Sequence, residues 1–470
     1  MSVPCDLDIM TAAGLIRAGE LSATELVTST LDRLDATEPV VHAYATVVAE
    51  AALARAREAD QAQAHGRDLG PLHGIPVAVK DLIHTAGIPT EAGSRTLRGN
   101  VPRTDAVAVS RLAAAGAILI GKAVTHEFAY GLNLPPTRNA WDPTRYPGGS
   151  SAGSGVSVAV GSALGSLGTD TGGSGRVPAA VNGLVALKPT YGQVSRAGVI
   201  SMSATLDTVV PMARTAADCA AMFDALINPS PPGPSTWAAD VHAGADPVAL
   251  AGPGIRIGVD RAVHLTRGVD ADVRTCVERA LTAFQDLGAE IVAIDLPEAE
   301  LAVPVTVLIV MVETSNYHRR LLRSSADRYD PKTRVMLEAG ELLPGSAYVE
   351  AQRQRAMLID RVRQTFERNQ LDVVAAPTHP VPAVPMDYLT NPLTAAPDEG
   401  FSRALVHTGL ANLAGLPAIT IPAGFARTGL PVGLQLMGRP HSERLLLALA
   451  DRYQCRTDWH TRRPAWLPTE

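Results

Sequence analysis

Along the first 65 positions, apolar residues recur at the spacing of a helix face. Leu7, Leu15 and Ile16 form one such set, and Leu26, Leu31 and Leu34 the next. Ser22, followed three residues on by Glu25, matches a capping box and starts a second helix. The alanine-rich run from Ala51 predicts a third. Residues 6–65 therefore read as a helical segment, either scaffold cover or the contact of a homodimer.

From Gly74 the pattern changes. Short, continuous apolar runs at Ile75–Val79 and Ala117–Ile120 predict buried strands, with a helix over Asp105–Gly116 between them. The small residues of Ser154–Val160 suit a closely packed helix. Leu164–Gly168 predicts a strand that delivers Thr169, Asp170 and Thr171 at its carboxyl end. Residues 228–254, rich in Pro, Gly and Ala, read as a surface excursion rather than a domain boundary. Beyond them come a strand at Ile255–Val259, a helix at Val269–Leu287 and a strand at Glu290–Ile294. A largely helical stretch follows from about 300 to 369. Strands at Asp372–Ala376, Ala418–Ile421 and Val432–Met437 and a helix at 442–453 close the chain. There is no internal repeat. Alternating strands and helices predict a layered α/β fold.

Composition narrows the partners. The 470 residues are 46% hydrophobic, enough for a large core. The net charge is −6 and no run of Lys or Arg is longer than two residues, so neither nucleic acid nor an anionic membrane is an expected partner. No apolar run is long enough to span a bilayer. The opening residues MSVPCDLDIM lack a basic stretch followed by an apolar core, and the expected location is cytoplasmic. The four cysteines, Cys5, Cys219, Cys276 and Cys455, lie far apart without a CxxC. They read as free thiols of a reducing compartment, with no metal site.

The chemistry concentrates between Tyr146 and Tyr191. Two glycine-framed loops lie there, Gly148-Gly149-Ser150-Ser151 and Gly172-Gly173-Ser174-Gly175. Ser174 reads as a nucleophile. Its glycines let backbone amides converge, and a helix starting near it adds free amides and positive potential. The amides of Thr171, Gly172, Gly173 and Ser174 would form an oxyanion hole, although a tight turn with a capping serine looks the same locally. Lys80 ends an apolar run. Burial there would lower an amine pKa from about 10.4 toward the range of a general base. The alternatives are a lysine snorkelling to water or one paired with Asp81. Ser150 would relay the proton between Ser174 and Lys80. No GK[ST] follows, so a phosphate loop is excluded. Gly149-Ser150-Ser151-Ala152-Gly153 also matches the GxSxG elbow, with His318, His379 and His407 downstream. That elbow needs a hydrophobic strand before its serine, and Trp141–Pro147 carries two prolines instead.

These loops sit within a longer set of motifs. PLHGIPVAVKDLI surrounds Lys80, followed by EAGS at 91–94, EFAYG at 127–131 and RNAWDP at 138–143. PGGSSAGS, GTDTGGSGR, LKPTYG and SATLDT (203–208) come next, then NLAGLPAITIPAGF (412–425) and GLPVGLQLMGR (429–439). Over about residues 5–455 the chain resembles the amidase signature family. The resemblance implies one α/β domain across residues 1–470, a large twisted mixed sheet with helices on both faces. It also implies a Lys80, Ser150 and Ser174 triad with a cis peptide at Ser150, and Asp170 and Arg176 bracing the nucleophile loop. No cofactor or metal would be needed. The expected reaction is hydrolysis of a linear amide, or a related carbamate, to acid and amine through an acyl-enzyme. Phe128, Tyr130, Leu132 and Met202 are candidates to line the small-molecule substrate pocket, or else core residues. The alternative is the A-type subunit of an amidotransferase, which makes ammonia inside a tRNA-dependent complex. A catalytically silent binding protein is a further one. Three departures stand out. Gly175 replaces an apolar residue, which would loosen the loop. The 131–139 loop is short, with Pro135-Pro136. Val210 replaces a glycine.

Overall fold

The structure, a computed structural model, describes residues 3–67, 70–131, 133–227, 254–266, 268–386 and 401–468. Leu132 and, apart from Gly254, the excursion expected at 228–254 lie outside the described residues.

Eleven strands form one mixed sheet. In chain order they are β1 (Tyr44–Val47), β2 (Pro76–Lys80), β3 (Ile118–Ala123), β4 (Gly165–Asp170), β5 (Val185–Lys188), β6 (Thr208–Ala213), β7 (Arg256–Val259), β8 (Glu290–Ala293), β9 (Val373–Pro377), β10 (Ala418–Phe425) and β11 (Pro431–Gly438). Across the sheet the order is β1-β3-β2-β4-β6-β5-β10-β11-β9-β7-β8. β2 runs parallel to both β3 and β4, and β7 parallel to β8 and β9; the other pairings are antiparallel. Every residue of β2 and β4 is buried, as expected of parallel strands covered on both faces.

Helices α1 (Ile9–Ala18), α2 (Ala23–Val41) and α3 (Ala49–Ala64) form the N-terminal segment. Ile9, Ile16 and Leu26 enter the same apolar cluster as Val77 and Leu167, so this segment covers the sheet. The capping box forms as expected: Glu25 N–H donates to Ser22 Oγ at 3.0 Å, and Ser22 N–H to Glu25 Oε2 at 2.8 Å. The all-helical reading of 6–65 needs one correction. β1 lies inside it, paired to β3, with the Tyr44 hydroxyl donating to Ser162 O at 2.7 Å. Four residues are too few to carry a period of two.

α4 (Val107–Ala114) connects β2 to β3, and α5 (Ala152–Val160) precedes β4. α6 (Arg176–Val181), α7 (Ala216–Leu226), α8 (Arg261–His264) and α9 (Ala271–Asp286) follow. The stretch from 300 to 369 resolves into α10 (Glu298–Ser325), α11 (Pro331–Glu341) and α12 (Gly345–Arg368). With the loops around 128 and 200–206 these build a second apolar cluster, which includes Phe128, Met202, Ile309 and Phe366. α13 (Phe401–Leu413) and α14 (Glu443–Gln454) complete the fold.

Candidate active site

Parallel pairing of β2 with β4 sets the site. Val79 lies opposite Leu167, which brings Lys80 and Thr169 to neighbouring strand ends. The Lys80 side chain is wholly buried. Its Nζ donates to Ser150 Oγ and to Thr169 Oγ1, each at 2.8 Å. Burial pushes the amine down to about 7, against the charges of Asp170 and Asp207, which raise it. Asp81 is not its partner. Consecutive side chains along a strand direction face opposite ways, and the Asp81 carboxylate lies 3.9 Å from Lys122 Nζ.

Ser150 follows a cis peptide at Gly149–Ser150 and leads into α5. Ser151, next to it, is fully buried. Its hydroxyl donates to Thr169 O at 3.1 Å and accepts from Thr169 N–H at 3.2 Å, so it is held on both sides by one residue of β4. Among the described residues no strand leads directly into it. The histidines of the elbow alternative are engaged elsewhere. His318 bonds to the Tyr329 hydroxyl, His379 to Val381 O and His407 to His264. The elbow reading therefore fails on geometry.

Ser174 is partly exposed, and its carbonyl accepts from Ser151 N–H at 3.2 Å, joining the two serine loops. Among the described residues no group engages its hydroxyl. The loop is shaped by Asp170. This carboxylate accepts from the amides of Gly173, Gly175 and Arg176 at 2.8, 3.2 and 3.1 Å. It also accepts from Arg176 Nε and Nη2, both at 2.9 Å, and from Asn412 Nδ2 at 2.9 Å. Burial alone would raise the carboxyl. The Arg176 charge and hydrogen bonds, with Asn412 and Lys188, hold it well below the usual carboxylate range. The helix N-terminus expected to serve an oxyanion is thus already occupied by an internal carboxylate.

Other amides of the loop are free. The Gly173 carbonyl accepts from Val177 N–H at 2.8 Å. The Ser174 N–H, at the other end of that planar peptide, therefore points away from α6. The Gly172 carbonyl is held by Thr408 Oγ1 at 2.6 Å. Arg176 is wholly buried, bonding Thr408 O at 3.1 Å, Asn412 Oδ1 at 2.5 Å and the Gln435 amide oxygen. Thr169, Thr408, Asn412 and Gln435 were missed by sequence reasoning. Their one visible signal was a lone polar residue inside an apolar run, as in Pro431–Gly438 around Gln435.

Residues 25–447 match the protein-family model described as Amidase. The chain belongs to the amidase family. It is 39% identical to the A-type subunit of the glutamyl-tRNA(Gln) amidotransferase of Chloroflexus aurantiacus, over 97% of this chain and 98% of that one. It is 38% identical to an amidase of Pseudomonas putida over 99% of both. Among solved structures it resembles the native peptide amidase of Stenotrophomonas maltophilia, with a TM-score of 0.82, 32% identity and 98% of each chain covered.

Two departures from the amidase pattern face one another. A Cβ placed on Gly175 would meet Val210 Cγ1 at 2.9 Å and its Cβ at 3.1 Å. Val210 on β6 thus fills the space that a side chain at 175 would take. Gly175 is buried against it, and its N–H is held by Asp170. Of the pocket-or-core candidates, Phe128, Tyr130 and Met202 lie in the second apolar cluster. Phe128 packs edge-on to His318 with ring centroids 4.2 Å apart. A cavity of about 480 Å³ lies between residues 192 and 207, with Arg196, Ser201 and Asp207 on its wall. Asp207 connects it to the Ser174 loop by accepting from Thr171 Oγ1 at 2.7 Å.

Proposed function

We propose that the chain is an amidohydrolase that cleaves the C–N bond of small linear amides through an acyl-enzyme on Ser174. The contact that carries this reading is Lys80 Nζ to Ser150 Oγ, 2.8 Å, with the lysine buried and its pKa near 7. A neutral amine there has a lone pair for the Ser150 proton. As Ser174 Oγ attacks the substrate carbonyl, its proton passes to Ser150, and that of Ser150 to Lys80. When the tetrahedral intermediate collapses, the relay returns a proton to the departing nitrogen, and an amine or ammonia leaves. Water then attacks the acyl-enzyme by the same relay, releasing the acid and restoring Ser174. The amides of Thr171, Gly172 and Ser174 receive the oxyanion; Gly173 drops out of the expected set because its N–H is directed to Asp170. One such donor contributes roughly 3–4 kcal/mol of transition-state stabilisation. Asp170 and Arg176 hold the loop. The scheme uses no metal and no organic cofactor.

The 39% identity to an amidotransferase component favours a second reading, ammonia production within a tRNA-dependent complex. Ammonia release by the isolated chain separates the two. Turnover of simple aliphatic or aryl amides without partner chains is expected, with kcat/KM rising with pH through about 7. Ammonia release that occurs only with partner subunits would overturn the amidohydrolase reading.

A further inference from the structure

We infer that His126 and Tyr146 form a positioning pair for the relay serine, gripping the Gly149-Ser150 segment through both its backbone and its glycine face. The inference rests on the relay reading above.

His126 follows β3 and opens a short turn at Glu127–Ala129. Its backbone N–H donates to Ser150 O at 3.3 Å. Its ring is held at both nitrogens. Nδ1 lies 3.1 Å from Gly131 O, and Nε2 lies 3.1 Å from the Tyr146 hydroxyl. A backbone carbonyl can only accept, so Nδ1 carries the proton. Nε2 is then a bare acceptor, and the Tyr146 O–H must donate to it. Burial, with the Lys80 charge adding to it, pushes the imidazole down to about 4 although the Gly131 carbonyl favours its charged form. The neutral tautomer is thus maintained beside the relay lysine.

This pair packs directly on the serine segment. A Cβ added at Gly149 would overlap both the Tyr146 hydroxyl and His126 Nε2. The phenol and imidazole therefore close against the Gly149 Cα, and the His126 backbone fixes the next carbonyl. Tyr146 is itself anchored, its N–H donating to Val384 O at 2.8 Å. Side-chain, backbone and van der Waals contacts thus converge on the residue pair that ends at Ser150 Oγ, whose direction decides whether a proton can pass between Ser174 and Lys80. No histidine takes a proton in this relay; one histidine holds its middle member.

A positioning role is separable from a structural one by the leaving group. An amide nitrogen needs the returned proton in order to leave, whereas p-nitrophenolate does not. Tyr146→Phe keeps the ring and removes only the hydroxyl. Its amide kcat is expected to fall roughly 10–100-fold and its p-nitrophenyl ester turnover clearly less, since both need the relay to deprotonate Ser174 and water but only the amide also needs the returned proton, with KM little changed and Tm preserved. His126→Asn, which keeps a donor for Gly131 O but loses the acceptor, should behave alike, and the double variant should be no worse than either single one. Equal losses on amide and ester, or additive losses in the double variant, would overturn the pair. Ser150→Ala is the reference. If it leaves the amide-to-ester ratio unchanged, the relay reading itself fails and the inference falls with it. If it shifts the ratio and Tyr146→Phe does not, the positioning pair alone is wrong.

Discussion

Replacing Lys80 by Met should abolish activity and yet relieve the fold of a penalty that depends on pH. Burial lowers the folded-state pKa of Lys80 from 10.5 to about 7. Between these values the unfolded chain holds more protons than the folded one, so this group destabilises the protein most at low pH. The penalty is full below about pH 7, shrinks as pH rises and is gone above 10.5. Linkage gives a penalty of roughly 5 kcal/mol at pH 6 and roughly 2 kcal/mol at pH 9. Methionine has similar length and no charge to desolvate. Its variant also loses the two hydrogen bonds to Ser150 and Thr169, each worth about 1 kcal/mol; how they change as the amine titrates is already contained in its pKa shift. Subtracting the two pH values removes the part of the loss that does not depend on pH. Urea unfolding of both proteins at pH 6 and pH 9 should show Lys80→Met gaining roughly 3 kcal/mol more, relative to the parent, at the lower pH. Amide turnover should be lost at both. A difference below about 0.5 kcal/mol, or one of opposite sign, would show that Lys80 is not held near neutrality, and the base assignment would have no physical footing.

Three further outcomes test the rest of the site. A fluorophosphonate should label Ser174; Ser174→Ala should remove the adduct and Ser151→Ala should not, and an adduct mapped to Ser151 by mass spectrometry would refute the assignment. Gly175→Ile should destabilise by roughly 1–3 kcal/mol through overlap with Val210, and adding Val210→Gly should recover most of it; purely additive effects in thermal unfolding would deny the contact. His264 and His407 are buried and His379 half-buried, with pKa values lowered by desolvation, His264 to about 4. The folded state therefore resists protonation, and stability should fall as pH drops from about 6.5 toward 4, less steeply in His264→Gln. At pH 8, Gln at 318, 379 or 407 should leave kcat within about tenfold, since loss of a true general base costs 10²-fold or more.

Much of the site was legible along the chain because its signals are local. The continuous apolar runs that became β2 and β3 announced buried strands, and the glycine-framed loops after them announced converging amides. Lys80 stood out as the charge that ends such a run. β1, β5 and β6 were not legible. Four to six residues carry too little periodicity, and β5 owes its place at the sheet centre to antiparallel pairing with β10, distant in sequence. The supports of the loop were hidden for the same reason. Thr408, Asn412 and Gln435 reach Asp170 and Arg176 across more than 200 residues of chain, and nothing near them in sequence says which buried charge they satisfy. Asp81 beside Lys80 looked like its partner, until strand alternation turned it toward Lys122. Gly175 and Val210 looked like two separate anomalies until packing set one against the other. Residue types and short spacings thus determined which chemistry the chain can perform. Burial, register and side-chain volume, which exist only once distant segments meet, decided which groups are charged, which amides are free and which serine is left to react.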